Sequence, residues 1–244
     1  MGSLHRPLRW LVVLLFCASP AKAYRPFDGT DADVAKPGEF ELELGPSQYQ
    51  VRGGRRSIAA PAVVLNFGLG AQTELVVDLQ NSIALGRDQD SRLQLRNTDL
   101  LLKHVLREGR LQGETGPSVA VEGGLLAPEV NGQRSFGAGL NLIVSYEWWF
   151  GTVHFNEQGQ YTRAHRPDVF SSVILEGPHE WHVRPVTELY YEREFGAAET
   201  WSVLSGAIWT VRDSLALDLG LRHALVANVL VEEARLGFTW AFPM

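Results

Sequence analysis

Residues 214–222 read Ser-Leu-Ala-Leu-Asp-Leu-Gly-Leu-Arg, with Leu215, Leu217, Leu219 and Leu221 at every second position and Ser214, Ala216, Asp218, Gly220 and Arg222 between them. A repeat of two is the period of a β-strand, whose successive side chains point to opposite faces. The last stretch of the chain follows the same rule. Ala234, Leu236, Phe238, Trp240 and Phe242 share one face, and Glu233, Arg235, Gly237, Thr239 and Ala241 the other.

Working towards the N-terminus, Phe40, Leu42 and Leu44 interleave with Glu39, Glu41 and Glu43, and Leu75, Val77 and Leu79 with Glu74, Val76 and Asp78. Leu100, Leu102 and Leu106 alternate with Asp99, Lys103 and Arg107, and Ala138, Leu140, Leu142 and Val144 with Gly137, Gly139, Asn141, Ile143 and Ser145. Residues 201–210 carry no clean alternation. Runs bounded by turn chemistry predict twelve strands, at 38–49, 60–69, 73–83, 93–106, 117–126, 135–146, 150–162, 169–177, 184–193, 201–210, 214–222 and 231–242. Tight connections are expected after the second, sixth and tenth strands. Longer polar ones are expected after the first (Arg52-Gly53-Gly54-Arg55-Arg56), third (Gly86-Arg87-Asp88-Gln89-Asp90), fifth (Asn131-Gly132-Gln133-Arg134) and eleventh. An even strand number with short turns at one end and longer loops at the other is how outer-membrane barrels are built. The connection at 107–116 breaks that rule, being long where a turn should be short.

Alternation is shared by soluble sandwiches and barrels, so the polar face has to discriminate. Here it places glycine beside single charges, as in Asp218-Gly220-Arg222, Glu233-Arg235-Gly237 and Glu122-Gly124, a composition suited to a crowded lumen. After residue 23 the only lysines are Lys36 and Lys103, and Lys103 falls mid-strand beside Asp99. An enclosed charge needs a partner to offset its desolvation. Asp99, Lys103, Glu122, Glu188, Glu192, Asp218, Arg222, Glu233 and Arg235 are therefore predicted to form an interior charge network. His154, Asn156, Gln158 and Gln160 add an uncharged polar stripe, either a permeation surface or simply a hydrated wall. Lys103 and Arg235 pointing at lipid would refute this facing scheme.

Residues 1–23 combine a basic start (His5, Arg6, Arg9), an apolar run from Trp10 to Phe16 and an Ala21-Lys22-Ala23 ending, the form of a cleaved secretory signal. Residues 24–37 are then expected as a periplasmic N-terminal segment and 38–244 as the barrel, with both termini periplasmic. The sole cysteine, Cys17, lies in the signal, which removes disulfides and thiolate metal sites from the mature chain. The formal charge of −6 becomes −9 once Arg6, Arg9 and Lys22 are gone, a balance that argues against nucleic-acid binding. His165, His179 and His182 lack metal-ligand spacing, and the glycines form no phosphate-cradling loop, so neither a metal nor a cofactor is expected. No His-x-Ser pair occurs on any strand, which leaves only a cross-strand pair for a lipid-modifying enzyme; no enzyme is expected.

The chain resembles the bacterial outer-membrane barrels labelled transporters or phenol-degradation meta-pathway proteins. The likeness rests on the entry Pro26-Phe27-x-x-Thr30-Asp31 followed by Pro37-Gly38-x-Phe40-Glu41-Leu42-Glu43, on the Asp99–Lys103 spacing, on Glu188, and on Leu217-Asp218-x-Gly220-x-Arg222, and it covers the mature chain. The resemblance implies an outer-membrane barrel with a transport role and no stated substrate. One departure is that Pro243 and Met244 follow Phe242, where such barrels commonly end on an aromatic residue. The expected partners are outer-membrane lipid, the barrel assembly machinery through Phe238, Trp240 and Phe242, and a small-molecule solute. The functional expectation is a channel selective through its charged lumen, against the alternative of a plugged barrel with a structural role in the envelope.

Overall fold

The computed structural model describes residues 25–70, 72–85, 94–129 and 132–244. The expected signal, Cys17, the 86–90 loop and Asn131 lie outside the described residues. Twelve strands follow in order: β1 (Glu39–Arg52), β2 (Arg55–Gly70), β3 (Thr73–Leu85), β4 (Gln94–Arg107), β5 (Ser118–Leu126), β6 (Gly137–Trp148), β7 (Gly151–Tyr161), β8 (Pro167–Glu176), β9 (Val183–Glu194), β10 (Ala198–Arg212), β11 (Leu215–Val226) and β12 (Val229–Pro243). Each pairs antiparallel with its sequence neighbours, and β1 pairs with β12, closing the sheet. Closure leaves no strand edge with unpaired N–H and C=O groups, the condition for crossing a bilayer with strands.

The alternation read from the sequence sets the two faces. In β11, Leu217, Leu219 and Leu221 are 37%, 51% and 53% exposed on the outside, while Asp218 and Arg222 are buried within. Leu100, Leu102, Leu140, Leu189, Trp201, Trp209 and Leu236 continue the outer apolar surface. An apolar surface encircling the barrel far exceeds what a soluble monomer leaves in water, and fits a lipid-facing wall. Outward aromatics collect at both rims. Phe40, Phe67, Trp240 and Phe242 pack together at the end where β1 begins and β12 finishes, and Tyr191 meets Trp201 towards the other. Residues 201–210 belong to β10 with Ser202, Leu204 and Ile208 inward and Trp201, Val203 and Trp209 outward. Their pattern is blurred because two large aliphatics face the interior, while Ser205 stands on the outer face.

Two loop expectations are corrected. The basic stretch 52–56 is not a loop, since β1 and β2 run through Arg52 and Arg55 and turn on Gly53-Gly54 alone. The β11–β12 connection is likewise only Ala227-Asn228. Both pairs have positive φ throughout, the backbone of the two-residue turn whose twist matches that of its strands. The long β4–β5 connection is real and contains a short 3-10 turn, Arg110–Gln112.

Residues 25–38 depart most from expectation. Residues 25–35 do not precede the barrel in the periplasm but run inside it, held by inward side chains of the wall, and Lys36–Gly38 are exposed at the rim, where the chain enters β1 at Glu39. Pro46 in β1 and Pro61 in β2 fall where ladder registers slip, and β3 shifts at the same height, between Asp78 and Gln80. Proline lacks the N–H that a regular ladder requires, so this part of the wall is bulged.

Candidate functional site

An irregular strand of backbone inside a barrel has no neighbouring ladder, so its polar groups must be met by wall side chains or water. The wall meets them almost residue by residue. The Glu188 carboxylate on β9 accepts the N–H groups of Asp28 and Gly29, each at 2.8 Å. Asn156 on β7 accepts the Thr30 N–H at 3.1 Å and donates to the Thr30 carbonyl at 2.9 Å, doing with an amide side chain what a paired strand would do with its backbone. Ser145 on β6 accepts the Ala32 N–H at 2.9 Å, and Glu74 on β3 accepts that of Ala35 at 2.7 Å. The 3-10 turn closes the set, with Gln112 donating to the Ala32 carbonyl at 2.9 Å and to Asp33 at 3.0 Å. The anomalous length of the β4–β5 connection thus has a use: it reaches back over the segment.

Charges fix the beginning of the segment. Arg235 donates to both oxygens of Asp28, at 2.9 and 3.0 Å, to the Pro26 carbonyl at 2.6 Å and to Glu233 at 2.6 Å. Arg222 donates to the other Glu233 oxygen at 2.7 Å and to the Tyr190 hydroxyl at 2.7 Å. Arg25 faces Asp218 at 3.6 Å. Apolar contacts assist: Phe27 packs on Val186, Ile208 and Ala216, while Ala32 packs with Ala120, Ile143 and Leu111. The inward Ile208 that obscured the β10 pattern therefore serves as a seat for Phe27.

The lumen glycines make room for this chain. A Cβ on Gly68 would stand 1.9 Å from the Lys36 carbonyl oxygen, and one on Gly220 would stand 2.9 Å from the Pro26 ring. The glycine-and-charge composition that separated this barrel from a soluble one reflects both needs, space for a backbone and partners for its polar groups.

All eleven predicted site residues belong to the interior, but they divide. Glu188, Asn156, Asp218, Arg222, Glu233, Arg235 and Lys103 hold the segment or its immediate partners; Lys103 Nζ lies 3.5 Å from Asp31 and 3.6 Å from Glu74. His154 acts one step removed, 2.8 Å from Ser145 through Nδ1 and 3.2 Å from Glu176 through Nε2. Asp99 is bound by Arg163 of the β7–β8 connection. Glu122 lines a cavity of about 640 Å³, and Glu192, with Asp99, lines another of about 480 Å³. In place of the single interior network expected from the sequence there are several clusters, most of them meeting on residues 25–35, with the Asp99–Arg163 pair standing apart. Arg25, Asp28, Asp31, Glu74, Asp78, Ser145, Glu176 and Arg184 join these clusters without standing out in the sequence as site residues. Glu74 and Asp78 were on the polar face already, and the distinctive Pro26–Asp31 entry was the available sign that its residues have contacts of their own.

The Ser145–His154–Glu176 arrangement has the distances of a hydroxyl–imidazole–carboxylate relay. Ser145 and His154 are 0% and 1% exposed, however, and the serine oxygen already accepts the Ala32 N–H. With the segment in place the hydroxyl is covered. What the relay does here is orient an acceptor for the segment.

The larger cavity runs beside the segment against the bulged β1–β5 wall. Glu43, Glu74, Asp78 and Glu122 line it with the amides Gln48, Gln50, Asn66 and Gln80.

A closed twelve-stranded antiparallel barrel with an apolar outer wall and a polar lumen defines the class, that of outer-membrane β-barrels. Among solved structures the chain is similar to the COG4313 outer membrane channel from Pseudomonas putida F1, with a TM-score of 0.64 at 11% identity over 88% of this chain and 100% of that one. It is also similar to the KdgM porin, with a TM-score of 0.55 at 8% identity over 82% of this chain and 98% of that one. The KdgM porin in complex with disordered oligogalacturonate matches equally, with a TM-score of 0.55. No family model and no curated protein matches the chain. At these identities the likeness establishes the fold.

Proposed function

We propose that this protein is an outer-membrane channel for small hydrophilic solutes, its lumen narrowed rather than filled by residues 25–36. The observation that carries this reading is the cavity of about 640 Å³ lying between the segment and the β1–β5 wall. A cavity of this size, between roughly 300 and 1,000 Å³, accommodates a small molecule. Its lining is charged and amide-bearing, so the solute is polar. The likeness to channel and porin barrels supports the same reading but carries no substrate. The channel sits in the outer membrane with the end of β12 at the periplasmic rim, and it is inserted by the barrel assembly machinery through the last strand, where Phe238, Trp240 and Phe242 face lipid. Selectivity comes from the charged residues that line the open part of the lumen.

Planar-bilayer recording of the purified full-length mature protein tests this. Discrete conductance steps with the segment intact support a channel. Silence at every voltage overturns it in favour of a plugged barrel with a structural role, the reading favoured by the segment's dense anchoring.

A further inference from the structure

The cavity is chemically one-sided. Of the cations that line it, Arg25 faces Asp218, Arg222 is bonded to Glu233, and Arg235 is bonded to Asp28 and Glu233. On the opposite wall, Asp78 and Glu122 have no cation in ion-pair contact among the described residues. Asp78 also stands directly across the β3–β4 ladder from Asp99, a like-charge pair that disfavours itself, and of the two it is Asp99 that pairs with Arg163. Glu74 adds a buried acceptor to the same wall. Its side chain is 1% exposed; Oε2 takes the Ala35 N–H, while Oε1 accepts no hydrogen bond and lies 3.6 Å from Lys103 Nζ. Nearby amides belong to the wall, Asn66 donating to Glu43 at 3.0 Å and Gln80 to Gln48 at 2.8 Å.

Along β3, Asp78 and Glu74 face the cavity four residues apart, about 13 Å at roughly 3.3 Å per residue. Glu122 aligns with Lys103, which aligns with Glu74, so the second level presents two carboxylates around one lysine. Successive carboxylate levels in a confined path are the arrangement that favours cations over anions.

Resting on the channel reading above, we infer that the open side of the lumen is a cation-binding path that admits small hydrophilic ammonium-bearing solutes and excludes anions, with Asp78 and Glu122 as its selectivity residues.

Reversal potentials in a KCl gradient across a planar bilayer test this in the wild-type protein. Potassium is expected to be preferred over chloride, and millimolar 1,4-diaminobutane is expected to interrupt the potassium current. Asp78→Asn and Glu122→Gln, which keep side-chain shape, should each lower the potassium-to-chloride permeability ratio about fivefold, the effect of roughly one unit charge a few ångströms from the ion in a watery medium. Conducting steps that prefer chloride, or that show no preference, overturn the cation path while leaving the channel intact. So does diamine that leaves the current unchanged. Absence of steps overturns both. The wild-type measurement does not depend on whether either variant folds.

Discussion

The two sides of the lumen use the same residue types for different ends. Around β6–β12, carboxylates, guanidinium groups and amides are spent on the chain that lies against them: Glu188 on two N–H groups, Asn156 on a backbone N–H and C=O, Arg235 on Asp28 and the Pro26 carbonyl. Around β1–β5, Asp78 and Glu122 face open space. What a polar lumen residue contributes is therefore decided by what has been laid against it. A buried charge with a partner is part of the structure, whereas one facing a cavity remains available to a solute.

The difference can be broken most severely at Arg235. Replacement by alanine leaves the carboxylates of Asp28 and Glu233 short of their shared partner, and truncating one member of a buried pair costs about 3–5 kcal/mol. The expected outcome is release of the start of the segment. It can be read with an added Ala32→Cys, buried in the intact protein, in a chain whose Cys17 is replaced by serine; the new thiol should become reactive towards a membrane-impermeant maleimide. Unchanged labelling would show that the segment does not depend on this cluster.

Gly68→Val attacks the other end of the segment. Its side chain would occupy the position of the Lys36 carbonyl oxygen, and with backbone on both sides there is no flexible group to yield. Overpacking of this kind costs about 1–3 kcal/mol. Higher single-channel conductance is expected in the bilayer as residues 33–38 lose their seat, and wild-type conductance would argue against narrowing by the segment.

Asn156→Ala should cost about 1–3 kcal/mol, because the Thr30 N–H and C=O lose their partner inside the barrel. A lower midpoint for loss of the fast-migrating folded band on heating is the check; no shift would mean that water replaces the amide.

The smallest effect, and one of opposite sign, is expected on the open side. Asp78→Asn removes one member of the facing Asp78–Asp99 pair and should leave the same midpoint unchanged or raise it, by about 0.2–1 kcal/mol of relieved repulsion. A loss of stability comparable to that of Asn156→Ala would erase the distinction between the two sides.

The barrel itself was legible because its cause is local. Leu215 to Leu221 point outward for the reason that successive side chains in any strand alternate, and no distant contact is needed to read it. Lys103 and Arg235 were correctly placed within because a charge in lipid is costly. Loop lengths were less legible: Arg52 and Arg55 extend a hairpin that composition alone marks as a polar loop, since Gly53-Gly54 suffices to turn it.

What sequence alone determined is thus the barrel, its strand number and which face meets lipid. Only the tertiary structure decided what occupies the inside. Arg235 meets Pro26 across 209 positions of chain and Glu188 meets Asp28 across 160, and contacts at such separations leave no periodic trace in the residues between. A polar lumen has the same composition whether it is wetted by water or satisfied by a folded-back chain. The route of residues 25–35 therefore turns most of the charged set into anchors, Glu74 and Lys103 among them, and leaves Asp78 and Glu122 facing the cavity.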